Sequence, residues 1–207
     1  MSVIIKMKYI IQIGSHIGNT VNDPIYKTID KDTFLILVEP VPYLFEQLKT
    51  NYLTRFPNSK NIIFINKAVS NFVGEIEMTI PSLKNNFNKF PFWATQISSI
   101  NPVHVKTHIP SLITEKIKVP TTTLNDIIKD YHITELDLLH TDTEGHDYEI
   151  LMDYTFSIKP KRIMFEHKHM DGVFKIGARY QTLLNKLEGL GYSIHSKTVE
   201  DTIMQLR

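Results

Sequence analysis

Residues 7–18 have the sequence MKYIIQIGSHIG, a short apolar run that ends in a glycine-containing turn. A nearly continuous run of β-branched residues is typical of a strand that is buried on both faces, as the strands of parallel sheets are. Glycine lets the backbone turn sharply and approach a ligand closely, and Gly14 and Gly18 flank this turn. The sequence therefore predicts a buried strand over residues 7–13 that leads into a binding loop.

The same pattern recurs along the chain, with helix-like segments between the apolar runs. Further runs of this kind lie at residues 34–38, 61–65, 136–139 and 162–165, each leading into polar or acidic residues. Apolar spacing and capping residues predict helices over residues 42–56, 121–130 and 180–190. Strands that alternate with helices form βαβ units with right-handed crossovers. We expect an α/β fold with a doubly wound, mostly parallel sheet and helices on both faces.

One segment breaks this alternation. Residues 76–80 predict an added strand, and residues 81–116 then show no sustained periodicity. Irregular segments of this length within a compact domain are usually lids or binding loops. We expect a single domain over residues 1–207, with a lid or substrate-binding insertion at about 81–116, between the third and fourth core strands.

The composition excludes several kinds of site and partner. The chain has 207 residues, with Lys+Arg 23 against Asp+Glu 22, so no net field favours nucleic acid. Because cysteine is absent, metal ligands must be oxygen or imidazole. The apolar opening, residues 1–14, has lysines inside the run and no small-residue cleavage site after it, which favours a strand over a signal peptide. No apolar stretch reaches the roughly 18 residues of a membrane span, and we expect a soluble, cytoplasmic protein.

Ligands of open parallel sheets lie beyond the carboxyl ends of the strands, so the residues that follow the strands are the candidate site. Glu39 follows the second strand, where its two oxygens can accept both hydroxyl protons of a ribose. The loop after the first strand reads G-x-x-x-G, with His16 in the middle, and lacks the G-x-G-x-x-G that cradles a pyrophosphate. This loop favours S-adenosylmethionine over a dinucleotide. Both features also have structural interpretations, because glycine pairs shape tight turns and acids cap helices.

Acids and histidines accumulate after two later strands, in the segments DTEGHDYEIL and FEHKH. Unpaired acids in such positions repel each other unless they share a cation or a proton. We therefore assign functional roles to Asp142, Glu144 and Glu166. For Asp147 and Glu149 we expect a structural role on the solvent side of the following helix.

Taken together, these motifs resemble the FkbM-type family of S-adenosylmethionine-dependent methyltransferases. The segments that carry the resemblance are QIGSHIG from Gln12, VEP around Glu39, NKAVS from Asn66, LLHTDTEG ending at Gly145, and FE at Glu166. The resemblance covers most of the chain and implies a Rossmann-like class I methyltransferase fold and O-methylation, often of sugars or natural-product hydroxyls. It assigns cofactor binding to Gln12, Gly14, Ser15, His16, Ile17, Gly18, Glu39, Pro40, Ala68, Val69, Ser70 and Asp142. Many members have Asp where this chain has Gln12, whose amide oxygen accepts a hydrogen bond without carrying a charge.

Methyl transfer to a hydroxyl requires alignment, exclusion of water and a base. Asp142 is the first candidate base, with Glu144, Glu166 and His167 around it. Alternatively, Asp142, Glu144 and Glu166 hold Mg²⁺ or Mn²⁺, which would lower the pKa of the substrate hydroxyl. The candidate substrate contacts are Trp93, Gln96, Ser98, Ser99, His146 and His169.

The leading hypothesis is an O-methyltransferase for a small-molecule or glycan acceptor, such as a nucleotide-sugar or an oligosaccharide. An RNA methyltransferase is the alternative within the same fold, and the balanced charge disfavours it. A catalytically silent module that binds the cofactor is the alternative from a different class. NAD-dependent chemistry ranks last because the phosphate-binding loop has the wrong pattern.

Overall fold

The computed structural model describes residues 6–207. Residues 1–5, the start of the opening segment for which we predict a strand, lie outside the described residues. The strands are β1 (Lys8–Ile13), β2 (Thr33–Val38), β3 (Ile62–Ile65), β4 (Ala68–Val69), β5 (Glu75–Pro81), β6 (Thr114–Thr122), β7 (Leu138–Thr141), β8 (Arg162–Glu166), β9 (Tyr192–Lys197) and β10 (Asp201–Leu206). The helices are α1 (Pro42–Arg55), α2 (His104–His108), α3 (Leu124–Asp130), α4 (Asp147–Asp153) and α5 (Ala178–Gly189).

The main sheet has seven strands in the order β3-β2-β1-β7-β8-β10-β9. The first five are parallel to one another and correspond to the five predicted apolar runs. Strand β10 is antiparallel to both of its neighbours, β8 and β9. The predicted α/β fold with a mostly parallel sheet is confirmed. The hairpin of β9 and β10 was not predicted, because β9 is largely exposed and lacks an apolar run.

Helices cover both faces of the sheet because successive side chains of a strand point to opposite faces. On one face, Leu48 and Tyr52 of α1 pack with Leu35 and Leu37 of β2. On the other face, α3, α4 and α5 pack against β1, β2, β7 and β8 in a larger cluster. Helix α3 begins later than predicted, because Thr123 is its N-cap and the two threonines before it belong to β6.

A second, three-stranded sheet has the order β4-β6-β5. Strands β5 and β6 form a long antiparallel pair, and residues 82–113 connect them. The predicted irregular segment, 81–116, is therefore too long at its end, where residues 114–116 already belong to β6. The insertion also has a core of its own, formed by Ala94, Ile97, Val105, Ile109 and Leu112, and it contains α2 and two 3₁₀ turns. It lies between β3 and β7, the third and fourth core strands in chain order.

Candidate functional site

Gly14 lies where the loop after β1 crosses the end of β7. Its φ is +81°, and a Cβ atom at this position would lie 1.8 Å from the carbonyl oxygen of Asp142. Two hydrogen bonds from the amides of Gly14 and Ser15 to the Val38 carbonyl, both 3.0 Å, tie the loop to β2. Only glycine lacks a Cβ atom and also adopts a positive φ without strain. The path of the predicted binding loop therefore depends on Gly14.

Glu39 is buried at the end of β2 and organises the surrounding backbone. One carboxylate oxygen accepts a hydrogen bond from the amide of His16 at 2.8 Å, and the other accepts from the amide of Val41 at 2.8 Å. Burial raises the pKa of Glu39 to about 7, although both hydrogen bonds favour the charged form. Each carboxylate oxygen has a second lone pair, so Glu39 retains the capacity to accept hydroxyl protons.

The smaller of two cavities opens beside Glu39 and has an empty volume of about 570 Å³. Its lining includes six apolar side chains, those of Val38, Leu44, Ala68, Val69, Met78 and Ile100. Gly14, Pro40, Asp142 and Glu144 line it as well. Small-molecule sites are mostly apolar with a few well-placed polar groups, and the lining of this cavity has that chemistry, which suits a nucleoside.

The larger cavity has an empty volume of about 1,620 Å³ and is open to solvent. Its lining is more polar and includes Gln12, Ser15, Asp23, Trp93, His108, Glu166, Lys168 and His169. The two cavities share five lining residues: Gly14, His16, Gln96, Asp142 and Glu144. The two cavities therefore lie next to each other, on either side of this shared set of residues that includes Asp142.

The three predicted catalytic acids lie together at the strand ends. Burial, followed by the charge of Glu144, raises the pKa of Asp142 well above its ordinary value. Burial and the charge of Asp147 raise the pKa of Glu144 to about 8. Burial and the same neighbouring acids raise the pKa of Glu166. The site therefore favours the protonated acids until a cation enters it.

The expectation for Asp147 and Glu149 is corrected. Asp147 is fully buried, and its carboxylate accepts hydrogen bonds from the amide and the hydroxyl of Thr143 at 3.2 and 2.7 Å. Glu149 pairs with Arg179 and is not free in solvent. Asp147 holds the loop that carries Asp142 and Glu144, and the sequence pattern of the helix hides this role.

Gln12 is buried at the base of the larger cavity. Its Nε2 donates a hydrogen bond to Asp23 Oδ2 at 2.8 Å, while its Oε1 has no hydrogen-bond partner. Asp23 also accepts hydrogen bonds from the amides of Ile25 and Tyr26, and burial raises its pKa. Asp23 is a site residue that sequence reasoning missed, because it lies in an irregular segment. It places a carboxylate beside the position where many family members have Asp.

Several predicted cofactor residues do not line either cavity. Ile17 packs in the core beneath the second sheet. Gly18 makes room for α1, because a Cβ atom there would lie 2.4 Å from the ring of Tyr52. Ser70 is buried, and its hydroxyl lies 3.0 Å from His146 Nε2. These three residues contact other parts of the protein and do not face either cavity.

His167, a predicted catalytic residue, also points away from both cavities. Its Nδ1 lies 3.0 Å from the hydroxyl of Thr202, and its ring packs against Tyr180 at a centroid distance of 5.1 Å. The structure therefore corrects this assignment, because the residue after Glu166 faces the opposite side of the chain.

The candidate substrate contacts are divided between the cavities. Ser98 and His146 line the smaller cavity, Trp93 and His169 line the larger one, and Gln96 lines both. Ser99 lines neither, but its hydroxyl donates a hydrogen bond to the Glu144 carbonyl at 2.8 Å. Ser99 thus ties the insertion to the loop after β7.

Two histidines that the sequence analysis did not single out lie beside Glu144. His104 and His108 are the ends of α2, and one potential ligand atom each from His104, His108, Glu144 and His169 lie within 4.8 Å of one another. This is the group of metal-type ligands found within residues 6–207, and of the predicted metal ligands it contains only Glu144. The spacing His-x-x-x-His was the available signal.

No helix in the described part of the chain is long and apolar enough to cross a membrane.

Comparison with known proteins gives a family and a fold. The sequence profile of the "Methyltransferase FkbM domain" matches residues 12–194. No curated protein sequence matches the chain significantly. Among solved structures, methyltransferase FkbM from Methylobacillus flagellatus KT is similar, with a TM-score of 0.53 and 13% identity. That match covers 100% of this chain but only 45% of the other, so this chain spans less than half of that relative.

A second similar structure is magnesium protoporphyrin IX methyltransferase from Synechocystis PCC 6803, which contains bound S-adenosylmethionine. Its TM-score is 0.50 at 7% identity, over 99% of this chain and 72% of the other. At identities this low, the structural similarity shows a common fold and nothing finer. Here that fold is the class I methyltransferase fold.

Proposed function

We propose, from the premise that this chain belongs to the FkbM methyltransferase family, that it transfers a methyl group from S-adenosylmethionine to a hydroxyl of a small-molecule or glycan acceptor. The family and the fold make it an S-adenosylmethionine-dependent methyltransferase. The observation that carries the finer proposal is that Asp142 lines both cavities, and we call this place their junction. We also propose that residues 1–207 act as one domain, with residues 82–113 as the acceptor lid.

The chemistry of the smaller cavity supports a role as the cofactor site. Its apolar side chains would pack against the adenine, and the two oxygens of Glu39 would accept hydrogen bonds from the ribose hydroxyls. Gln12 lines the larger cavity, where its unpartnered Oε1 would accept a hydrogen bond from the ammonium group of the cofactor, with the Asp23 carboxylate 2.8 Å from the Gln12 amide nitrogen. The methionine part of the cofactor would therefore extend past Asp142 into the larger cavity. Asp23 would thereby restore the charge that Gln12 lacks.

S-adenosylmethionine supplies a methyl group that is already activated on a sulfonium. The protein has to align the acceptor hydroxyl, exclude water and take up the hydroxyl proton. Asp142 lies at the junction of the cavities, which suits it for the proton. A cation beside a buried carboxyl group favours its ionised form, so the loaded cofactor site would prepare Asp142 as a base.

The lining of the larger cavity supports a glycan or nucleotide-sugar acceptor. Phe92, Trp93 and Phe174 contribute aromatic rings, whose faces can stack on a sugar. Lys168 lines the same cavity and could pair with a phosphate. The Mg²⁺ or Mn²⁺ alternative at Asp142, Glu144 and Glu166 has less support, because Glu144 is grouped with three histidines and not with the other acids.

Isothermal titration with S-adenosylmethionine and S-adenosylhomocysteine tests the cofactor part of the proposal. We expect one site per chain, and a loss of affinity of about 10- to 100-fold in Glu39→Gln, because a hydrogen bond to a charged group contributes about 1.5–3 kcal/mol. Glu46→Gln, at an exposed position on the adjoining helix α1, is the matched control and should bind normally. Absence of binding to the wild-type chain would refute the proposal.

Transfer of a radiolabelled methyl group tests the acceptor class. We expect transfer to members of a panel of nucleotide-sugars and oligosaccharides, and none to RNA oligonucleotides. Transfer to RNA would favour the RNA alternative. Cofactor binding without transfer to any member of a broad panel would favour the silent module.

A further inference from the structure

We propose that His104, His108 and Glu144 bind a divalent cation of the zinc class at the wall of the larger cavity. This cluster joins the insertion to the loop after β7. It uses none of the groups assigned to the cofactor, and the assignment stands apart from the proposed methyl transfer.

The two histidines come from one turn of helix. His104 and His108 are four residues apart in α2, which places both rings on the same side. Their ring centroids are 4.4 Å apart. Glu144 reaches the pair from the other side, with its Oε2 2.7 Å from His104 Nε2. A small outward movement of the carboxylate would let one ion lie between the three groups.

The hydrogen bonds of His108 leave one ring nitrogen available. Its Nδ1 lies 3.1 Å from the carbonyl oxygen of His104, which can only accept, so Nδ1 carries the proton. The lone pair is therefore on Nε2. An imidazole whose other nitrogen donates to a backbone carbonyl is the usual arrangement of a metal-bound histidine, because that bond fixes both the tautomer and the ring orientation.

His169 belongs to the cluster but has the opposite tautomer. Its Nδ1 accepts a hydrogen bond from the amide of Phe174 at 2.9 Å, so its neutral ring carries the proton on Nε2. That nitrogen lies 3.8 Å from Glu144 Oε2 and 3.5 Å from Glu166 Oε1. His169 therefore faces the acids as a donor, and we assign it as a positioning residue for Glu144 instead of a ligand.

Two nitrogens and one carboxylate oxygen select the metal. Mg²⁺ prefers a shell of six oxygens, whereas imidazole favours zinc and its transition-metal neighbours. Sites with two histidines and one glutamate leave a fourth zinc position open for water or substrate. His108 and Glu144 both line the larger cavity, so the open position would face the proposed acceptor.

A ring stack without an ion is the competing explanation. His104 and His169 have ring centroids 4.7 Å apart, and His108 and His169 are 4.9 Å apart, so the rings already pack on one another. If the rings only pack on one another, the chain should bind no metal preferentially, and the tautomers of His108 and His169 should have no effect on metal binding. The experiment below separates the two explanations.

The full-length chain, treated with a chelator and then dialysed, is titrated with Zn²⁺ against a chromophoric chelator, without cofactor or acceptor. We expect one Zn²⁺ per chain, unaffected by excess Mg²⁺, and a four-coordinate visible spectrum when Co²⁺ replaces Zn²⁺. His108→Ala should weaken binding at least about 100-fold, since it removes one of three ligands. His195→Ala, at an exposed position in β9, is the control and should bind as the wild type does.

His169→Asn sharpens the assignment. We expect this variant to weaken Zn²⁺ binding by about tenfold, at the lower end of the range of about 10- to 100-fold for the loss of an outer partner. A loss equal to that of His108→Ala would overturn the three-ligand assignment. Failure of the wild-type chain to bind Zn²⁺ in stoichiometric amount, or equal affinity in His108→Ala, would overturn the site itself. Because cofactor titration is a separate measurement, failure here leaves the methyltransferase proposal intact.

Discussion

The two cavities that meet at Asp142 are built in different ways. The smaller cavity takes much of its wall from residues that end or directly follow β1, β2, β4 and β7, and its lining is mostly apolar. The larger cavity is lined by residues at the ends of β1, β7 and β8, and in addition by residues 20–24, by the insertion and by the segment after β8, and its lining includes acids, imidazoles and aromatic rings. The smaller cavity thus depends mainly on the strand ends, and the larger one depends also on how the irregular segments pack against the sheet.

This difference separates two kinds of residue. Around the smaller cavity, backbone hydrogen bonds and close approaches fix the geometry, as with Gly14 and Glu39. Around the larger cavity, contacts between distant side chains do so, as with His104 and Glu144, 40 residues apart. Substitutions in the first region should affect folding and cofactor binding, and those in the second, apart from Gln12 and Asp23, should affect the acceptor.

The largest effect is expected for Gly14→Ala. The added methyl group would overlap the carbonyl of Asp142, and φ is +81°, so both the loop and the end of β7 must move. We expect a loss of at least about 4 kcal/mol in the free energy of unfolding, and with it all cofactor binding. Gly189→Ala, where a Cβ atom meets nothing within 4 Å, should not destabilise the protein. Urea unfolding measures both, and equal stabilities would contradict the close approach.

Asp142→Asn tests the junction of the two cavities. We expect the rate of methyl transfer to fall by about 10²–10⁴-fold, because an amide cannot take up the acceptor proton. The affinity for S-adenosylhomocysteine should change much less than the rate. Asp130→Asn, at an exposed position at the end of α3, is the control. Unchanged kcat in Asp142→Asn would exclude Asp142 as the base.

The pH dependence of the free energy of unfolding, compared between the wild type and Glu39→Gln, tests the burial of Glu39 at the smaller cavity. The folded-state pKa of Glu39 is raised from 4.5 to about 7, so the folded protein holds this proton where the unfolded chain has released it. The free energy of unfolding should therefore fall as pH rises from about 4.5 to 7, and Glu39→Gln should reduce that fall by about 1–3 kcal/mol. Urea unfolding at several pH values measures the slope. A slope identical to that of the wild type would show that burial does not perturb Glu39.

The smallest effect is expected for Trp93→Leu in the larger cavity. Stacking on a sugar contributes roughly 0.5–1.5 kcal/mol, so the KM for the acceptor should rise by about 2- to 10-fold. The affinity for S-adenosylmethionine should not change. Phe72→Leu, half-exposed and outside both cavities, is the control. A change in cofactor affinity without a change in acceptor KM would reverse the roles of the two cavities.

The same division explains what the sequence could predict. Strand ends of a parallel sheet converge by topology, so Gly14, Glu39 and Asp142 could be placed at one edge from apolar runs alone. Whether a neighbouring residue faces that edge depends on local backbone detail. Gly18 and His167 are close in sequence to true lining residues, yet they pack elsewhere.

The other half of the site depends on contacts that no local pattern encodes. Asp23 meets Gln12 through an irregular segment, and α2 has only five residues, too few for a periodic signal. Buried Asp147 looked like a solvent-facing helix residue, because its partner is the backbone and hydroxyl of Thr143. Sequence reasoning therefore singled out the acids and His169, but not His104 and His108 beside Glu144.

A crystal structure of the chain with S-adenosylhomocysteine tests the central claim most directly. The account predicts the adenosine in the smaller cavity, both ribose hydroxyls on Glu39, and the sulfur atom at the junction beside Asp142. Density for the nucleoside in the larger cavity, or a sulfur atom turned away from Asp142, would contradict it.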